Sequence, residues 1–248
     1  MDFVHLKAQV PTTPAFVLDR QILNRNLEIL AALKENSGCK VLYSIKALPL
    51  ATVLDAAINV VDGFSVSSLF EARLAHEVLK GGGDIHFTSP GMRSDEVAEL
   101  QQICTHISFN SLSQWQNSPL TCNDVSFGLR VNPQLSFVTD LRFDPCRPAS
   151  KLGVESEVLA SQGWTEGIEG LHVHTVFSAL NFEPLLKTVA LLRQQIGNAF
   201  DTIKWLNLGG GYLFDQISNL QPFIELVKEL HQTFALQVYI EPGKALVG

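Results

Sequence analysis

Short apolar runs alternate along this chain with longer amphipathic stretches. Runs rich in β-branched and aromatic residues at 41–45, 60–66, 85–88, 106–110, 125–131, 168–174, 203–208 and 236–240 predict eight strands. Several read as near-continuous apolar segments, the pattern of parallel strands covered on both faces. The stretches 21–35, 68–79, 93–103, 183–196 and 220–234 repeat apolar residues at helical spacing and predict helices. In the first of them Ile22, Leu23, Leu27, Leu30, Ala31 and Leu33 fall mostly on one face, opposite Asn, Arg and Glu. Ser94, followed by Asp95 and Glu96, reads as a helix start with acids in the first turn.

Eight strands alternating with helices over 248 residues predict an α/β fold, a (β/α)8 TIM-type barrel. An open doubly wound sheet is the structural alternative. No linker, repeat or low-complexity segment divides the chain, so residues 1–248 read as one domain. The longest irregular stretch, 132–153, carries Pro133, Pro145 and Pro148, and loops of that length are often functional. Few residues follow the eighth strand, so the helix at 21–35 is expected to close the outer ring where an eighth helix normally packs.

Composition adds little to the fold but narrows the partners. The chain is 46% hydrophobic, enough for a sizeable core, and its net charge of −7 argues against a nucleic-acid partner. The first residues lack the apolar centre of a signal peptide, and no apolar run approaches the roughly 18 residues that span a bilayer. Cys39, Cys104, Cys122 and Cys146 form no Cys-x-x-Cys pair, which suits reduced thiols in the cytoplasm better than a disulfide frame or a metal site.

The candidate chemistry lies at strand ends, where barrels collect functional groups. Lys46 ends an otherwise apolar strand. It is either a lysine snorkelling into water or a desolvated amine able to form an imine with an aldehyde. Alternation places His172 and His174 on one face, either as satisfied core histidines, as one ring laid against a cofactor, or as a zinc pair. Gly209, Gly210 and Gly211 follow the seventh strand and suit close approach of backbone N–H groups to an anion. Glu241 and Lys244 follow the eighth, where the carboxylate suits a protonated ring nitrogen and the amine a phosphate. Together an imine-forming lysine, a ring partner, a phosphate cradle and a carboxylate meet the needs of pyridoxal phosphate.

The motifs also carry a resemblance. DGFSVSSLFE at 62–71, FNSLSQW at 109–115, GLRVNP at 128–133, DPC at 144–146 with SKLGV at 150–154, HVHT at 172–175, NLGGGY at 207–212 and EPG at 241–243 resemble the fold-type III pyridoxal-phosphate decarboxylases. That group includes ornithine, arginine and diaminopimelate decarboxylases and the alanine racemase barrel. Within it the chain is most similar to the carboxynorspermidine/carboxyspermidine decarboxylases. The resemblance implies that Lys46 is the Schiff-base lysine, that His172 stacks on the pyridine ring and that Thr175 lies near the phosphate. It also implies that Gly209, Gly210 and Gly211 cradle the phosphate and that Glu241 pairs with the ring nitrogen. Arg130 and Lys151 would support the site or a dimer interface. The implied reaction is loss of the α-carboxylate from carboxynorspermidine or carboxyspermidine, giving norspermidine or spermidine, in a cytoplasmic homodimer with no metal. Another amino-acid decarboxylase, or a cofactor-binding barrel without full activity, is the alternative.

Three departures qualify the likeness. Val176-Phe177-Ser178-Ala179 stands where the family usually has a Cys-Glu pair, and Lys244 stands where it often has a second Glu. Family members also continue into a β-rich C-terminal module, which this sequence lacks, so a fragment, a split enzyme or a truncated protein is expected.

Overall fold

The computed structural model describes residues 3–15, 17–119, 124–163 and 165–248. In chain order the elements are α1 (Phe3–Gln9), α2 (Arg20–Ser37), β1 (Lys40–Ser44), α3 (Ala51–Ala57), β2 (Gly63–Val66), α4 (Leu69–Leu79), β3 (Asp84–Thr88), α5 (Val97–Ile103), β4 (His106–Phe109), α6 (Leu112–Asn117) and β5 (Ser126–Asn132). They continue with β6 (Val154–Glu155), α7 (Ser156–Gln162), β7 (Gly170–Val173), α8 (Glu183–Phe200), β8 (Trp205–Asn207), α9 (Gln221–Phe234), β9 (Gln237–Ile240) and α10 (Lys244–Val247).

Parallel pairing runs β4-β3-β2-β1-β9-β8-β7-β5, and β4 pairs in turn with β5. That last pairing closes the sheet and decides for the barrel over the open sheet. The two-residue β6 extends the ladder beside the end of β5 and had no counterpart among the predicted strands. All eight predicted strands are present, shifted or shortened by up to three residues.

Register explains what fills the barrel. Lys40 pairs with Tyr239, Leu42 with Gly63, His86 with His106, Gly128 with Gly170, and Gly170 with Trp205. These positions point inward, and so do their i+2 neighbours. The outward set, including Val41, Tyr43, Phe64, Ile107, Leu129, Leu171, Leu206 and Val238, packs beneath the helices in the main apolar core. The inward set is largely polar. The strands therefore do not bury apolar residues on both faces, as their composition suggested. They alternate, and only the floor carries large apolar rings.

At that floor Trp205 lies against two glycines. A Cβ on Gly170 would stand 2.0 Å from the indole, and one on Gly128 would stand 2.3 Å from it. Leu42 and Tyr239 pack with Trp205, and the rings of His86 and His106 stack beside it with centroids 3.9 Å apart.

The outer ring is closed as expected. Asp19 caps α2, its Oδ1 accepting from the N–H groups of Gln21 and Ile22 at 2.9 and 3.2 Å. The helix then packs between α9 and α3, and Asn26 Nδ2 donates to the Leu246 carbonyl at 3.1 Å. The helix predicted from 93 begins only at Val97. Arg93 pairs with Asp95 in a preceding turn, so Ser94 is not its cap.

Candidate active site

Every strand-end residue singled out from sequence lies at the same end of the barrel, and most of them border one of two adjoining spaces. Lys46 sits in a short 3-10 turn (Ile45–Ala47) directly after β1. The turn is braced against β9: Ser44 N–H donates to the Pro242 carbonyl at 3.0 Å, and Gly243 is packed so closely that a Cβ there would stand 2.9 Å from Ala47. Lys46 is exposed at the mouth rather than desolvated. Its surroundings are a cleft of about 320 Å3, bordered also by Thr88, Arg130, His172, His174 and Glu241.

Glu241 is 7% exposed. Its Oε1 accepts from Asn207 Nδ2 at 2.8 Å, and its Oε2 lies 3.6 Å from His172 Nε2. That separation is too long for a hydrogen bond, and His172 Nε2 has no partner among the described residues. Burial, with Arg130 and Lys46 nearby, holds His172 well below the usual histidine range, so its ring is neutral. Its Nδ1 is 3.3 Å from the Thr88 hydroxyl.

His174 differs in depth and in partners. Both histidines border the cleft, but only His174 also borders an adjoining hollow of about 300 Å3 beside the glycine turn. Its Nδ1 accepts the Gly210 N–H at 3.1 Å, which fixes the neutral ring with its proton on Nε2. Burial, reinforced by Arg130, lowers its pKa to about 3. His172 is the deeper ring, and His174 is the one that faces both spaces.

The glycine turn is held as tightly as a cradle requires. Gly209 and Gly211 adopt φ of 67° and 95°, open to glycine at little cost. A Cβ on Gly210 would stand 2.2 Å from the Glu241 carbonyl oxygen, and one on Gly211 would stand 2.3 Å from that of Val176. The three amides are not equivalent. Gly209 N–H donates to Asn207 Oδ1 at 2.9 Å and Gly210 N–H to His174, which leaves the Gly211 N–H without a protein partner among the described residues.

Two residues stand apart from the cleft. The Thr175 hydroxyl is buried 3.3 Å from that of Thr188 and borders neither space. Lys151 is exposed; its carbonyl accepts from Asn110 Nδ2 at 2.7 Å, which helps pin the end of the 132–153 loop. That loop supplies Arg142, Phe143, Asp144 and Arg147 to the cleft; its length and the DPC motif at 144–146 mark the segment in the sequence, but none of the four is named there as a site residue. At the mouth Phe143 stacks on Phe177, with centroids 4.9 Å apart. Arg142 lies over one ring at 5.6 Å and Lys244 over the other at 5.7 Å.

Cys39, Cys104 and Cys146 are free and buried, and burial raises their thiols to about 11, 12 and 12 respectively. Cys122 lies outside the described residues. Among the described residues no group of three or more His, Cys, Asp or Glu is arranged to hold a metal, and no helix is long and apolar enough to cross a membrane.

The lysine, buried carboxylate, neutral imidazole and glycine turn are joined by a family match. The pyridoxal-dependent decarboxylase, pyridoxal binding domain, matches residues 20–248. The chain belongs to that family. Among curated members of the pyridoxal-dependent decarboxylases, it is 33% identical over 237 residues to the carboxynorspermidine/carboxyspermidine decarboxylase of Herminiimonas arsenicoxydans, covering 95% of this chain and 64% of that protein. It is 34% identical over 238 residues to the carboxyaminopropylagmatine decarboxylase of Synechocystis sp. (strain ATCC 27184 / PCC 6803 / Kazusa), covering 94% and 60%. The crystal structure of Campylobacter jejuni carboxynorspermidine decarboxylase complexed with norspermidine superimposes with a TM-score of 0.83 at 29% identity, over 96% of this chain and 61% of that one. Helicobacter pylori diaminopimelate decarboxylase, at 16% identity and a TM-score of 0.78, shares the fold. The chain thus spans between 60% and 64% of the length of these curated pyridoxal-dependent decarboxylases.

Proposed function

We propose that residues 1–248 act as one barrel domain that holds pyridoxal phosphate and forms the cofactor-binding part of a decarboxylase. Its substrate would be the amino-acid end of a carboxylated polyamine of the carboxynorspermidine type. The observation that carries this reading is the convergence of Lys46, Glu241, His174 and the glycine turn on two adjoining spaces. The residues fit the group: a turn too close-packed for any Cβ suits a phosphate, and a buried carboxylate suits a ring nitrogen. When bound, the cofactor supplies an electron sink for the charge left by carbon dioxide.

Lys46 is the attachment residue, and its place on a braced turn keeps its amine at the mouth. Glu241 holds a proton at the ring nitrogen through the oxygen that Asn207 leaves free. Gly211 N–H and Lys244 serve the phosphate, Lys244 lying at the rim of the hollow beside the turn. Of the two histidines, His174 is the better placed to lie against the ring, and His172 supports it from beneath. Thr175 contributes by packing against α8. We further propose that the protein works in the cytoplasm, without nucleic acid, as part of a homodimer.

The test is direct. Protein mixed with pyridoxal phosphate should develop a visible absorbance band that Lys46→Ala abolishes. Identical spectra for the two would overturn the reading. A second reading, decarboxylation of an amino acid whose far end carries a carboxylate, such as diaminopimelate, is favoured by the cations Arg142, Arg147 and Lys244 around the mouth, which suit a polyamine tail poorly. Product analysis across carboxylated polyamines, ornithine, lysine and diaminopimelate separates the two.

A further inference from the structure

Asn207 makes contacts that none of the site residues named from sequence makes. It is 1% exposed in β8, in register with His172 on one side and Tyr239 on the other. Its side-chain amide is used on every side. Nδ2 donates to Glu241 Oε1 at 2.8 Å and faces His86 Nδ1 at 3.4 Å, while Oδ1 accepts the Gly209 N–H at 2.9 Å. Flipping the amide would set its oxygen against a carboxylate oxygen and its NH2 against an N–H, so one orientation alone satisfies the site. His86 is compatible with this orientation, since its neutral ring can accept at Nδ1 in the Nε2–H tautomer.

We propose that Asn207 is a positioning residue that ties the carboxylate and the glycine turn into one rigid unit. The proposal rests on the cofactor reading above. A ligand with a pyridinium at one end and a phosphate at the other needs its two anchors at a fixed separation. Here Glu241 N–H already donates to the Gly209 carbonyl at 2.8 Å, and the Asn207 amide adds the link between the Glu241 carboxylate and the turn. By engaging Glu241 Oε1, Asn207 leaves Oε2 as the oxygen available to the ligand. By engaging the Gly209 amide, it holds that residue in its left-handed conformation. Aspartate would not substitute. A second carboxylate against Glu241 would force the pair to share a proton, and only the protonated form could donate as the amide does.

That difference supplies the test. Wild type, Asn207→Ala and Asn207→Asp would be titrated with pyridoxal phosphate by fluorescence, with far-ultraviolet circular dichroism as the check on folding. Loss of a hydrogen bond to a charged group should weaken binding by roughly 10- to 100-fold in Asn207→Ala at every pH. Asn207→Asp should be as weak near about pH 8 and recover towards wild type near about pH 6, as the carboxyl pair takes up its proton. The other titratable or charged groups around this position are His86, His172, Tyr239, His174, Arg130 and Lys46. All are common to the variants and cancel in the Asn207→Ala ratio. His86, whose Nδ1 faces Asn207 at 3.4 Å, couples to the new carboxyl and adds to the pH dependence that the Asn207→Asp ratio reads. Binding as tight as wild type in Asn207→Ala, or a pH-independent ratio in Asn207→Asp, would overturn the proposal.

Should both variants fail to fold, wild type labelled with 15N-asparagine gives the answer. The Asn207 side-chain amide should exchange slowly with water and shift on addition of pyridoxal phosphate. Fast exchange would overturn the clamp. A wild type that binds no cofactor defeats the functional reading instead, while slow exchange would still attest the clamp.

Discussion

At the scale of single residues, the state of each buried histidine follows from what its ring nitrogens meet. His174 accepts an amide N–H and stays neutral with its proton on Nε2, whereas His172 meets a threonine hydroxyl and, at 3.6 Å, the Glu241 carboxylate, and sits deeper. His174→Ala should therefore weaken pyridoxal phosphate binding by roughly 5- to 10-fold, the worth of a ring contact. His172→Ala should act mainly on stability. Fluorescence titration and urea unfolding, run on both variants, measure the split. The sequence placed both rings on one face by simple alternation. It did not reveal which was deeper, because depth is set by the stagger of neighbouring strands, here Arg130 and Asn207 on either side of His172. Lys46, Glu241 and the three glycines were legible because each is an unusual residue at a strand end. Asn207 was quoted within its motif, but its partners Glu241 and His86 lie 34 and 121 residues away.

At the scale of elements, local capping chemistry decides where helices begin. Ser68 Oγ accepts the Glu71 N–H, and Glu71 accepts in return from Ser67 N–H. Ser111 and Gln114 repeat the device at α6, with Gln114 accepting from Asn110 N–H. The second box, readable as Ser-x-x-Gln, was the signal for a helix that hydrophobic spacing missed. With only six residues, α6 is too short to display a period, and α3, α7 and α10 escaped for the same reason. The cap of α2 matters more widely, since that helix closes the outer ring. Asp19→Ala should destabilise the protein by about 1 kcal/mol, read as a lower urea midpoint, with cofactor affinity unchanged.

At the scale of the whole molecule, the barrel encloses polar groups instead of a second apolar core. Polar inward positions went unread because Leu42, Trp205 and Tyr239 occupy the inward places near the floor, and they make β1, β8 and β9 look apolar throughout. This interior makes stability depend on pH. His174 and His106 have folded pKa values lowered to about 3 and about 4, and His86 and His172 also lie well below the ordinary value, burial being the first cause in each. Below about pH 6.5 the unfolded chain binds these protons and the folded one does not. Stability is therefore complete above that pH and falls as the pH drops through the window towards each folded pKa. Each neutral histidine contributes up to about 1.4 kcal/mol per pH unit, which urea midpoints between about pH 7 and pH 5 should register as a steep decline. At the floor, Gly170→Ala would drive a methyl into the Trp205 ring and should cost about 1–3 kcal/mol in the same measurement.

The aromatic floor also sets the traffic. With Trp205, Tyr239 and the stacked imidazoles filling the far end, the mouth is the doorway through which a small molecule reaches Lys46. Arrival and departure then share one route, so one bound molecule has to leave before the next can enter. Anything seated over that doorway would govern both events at once.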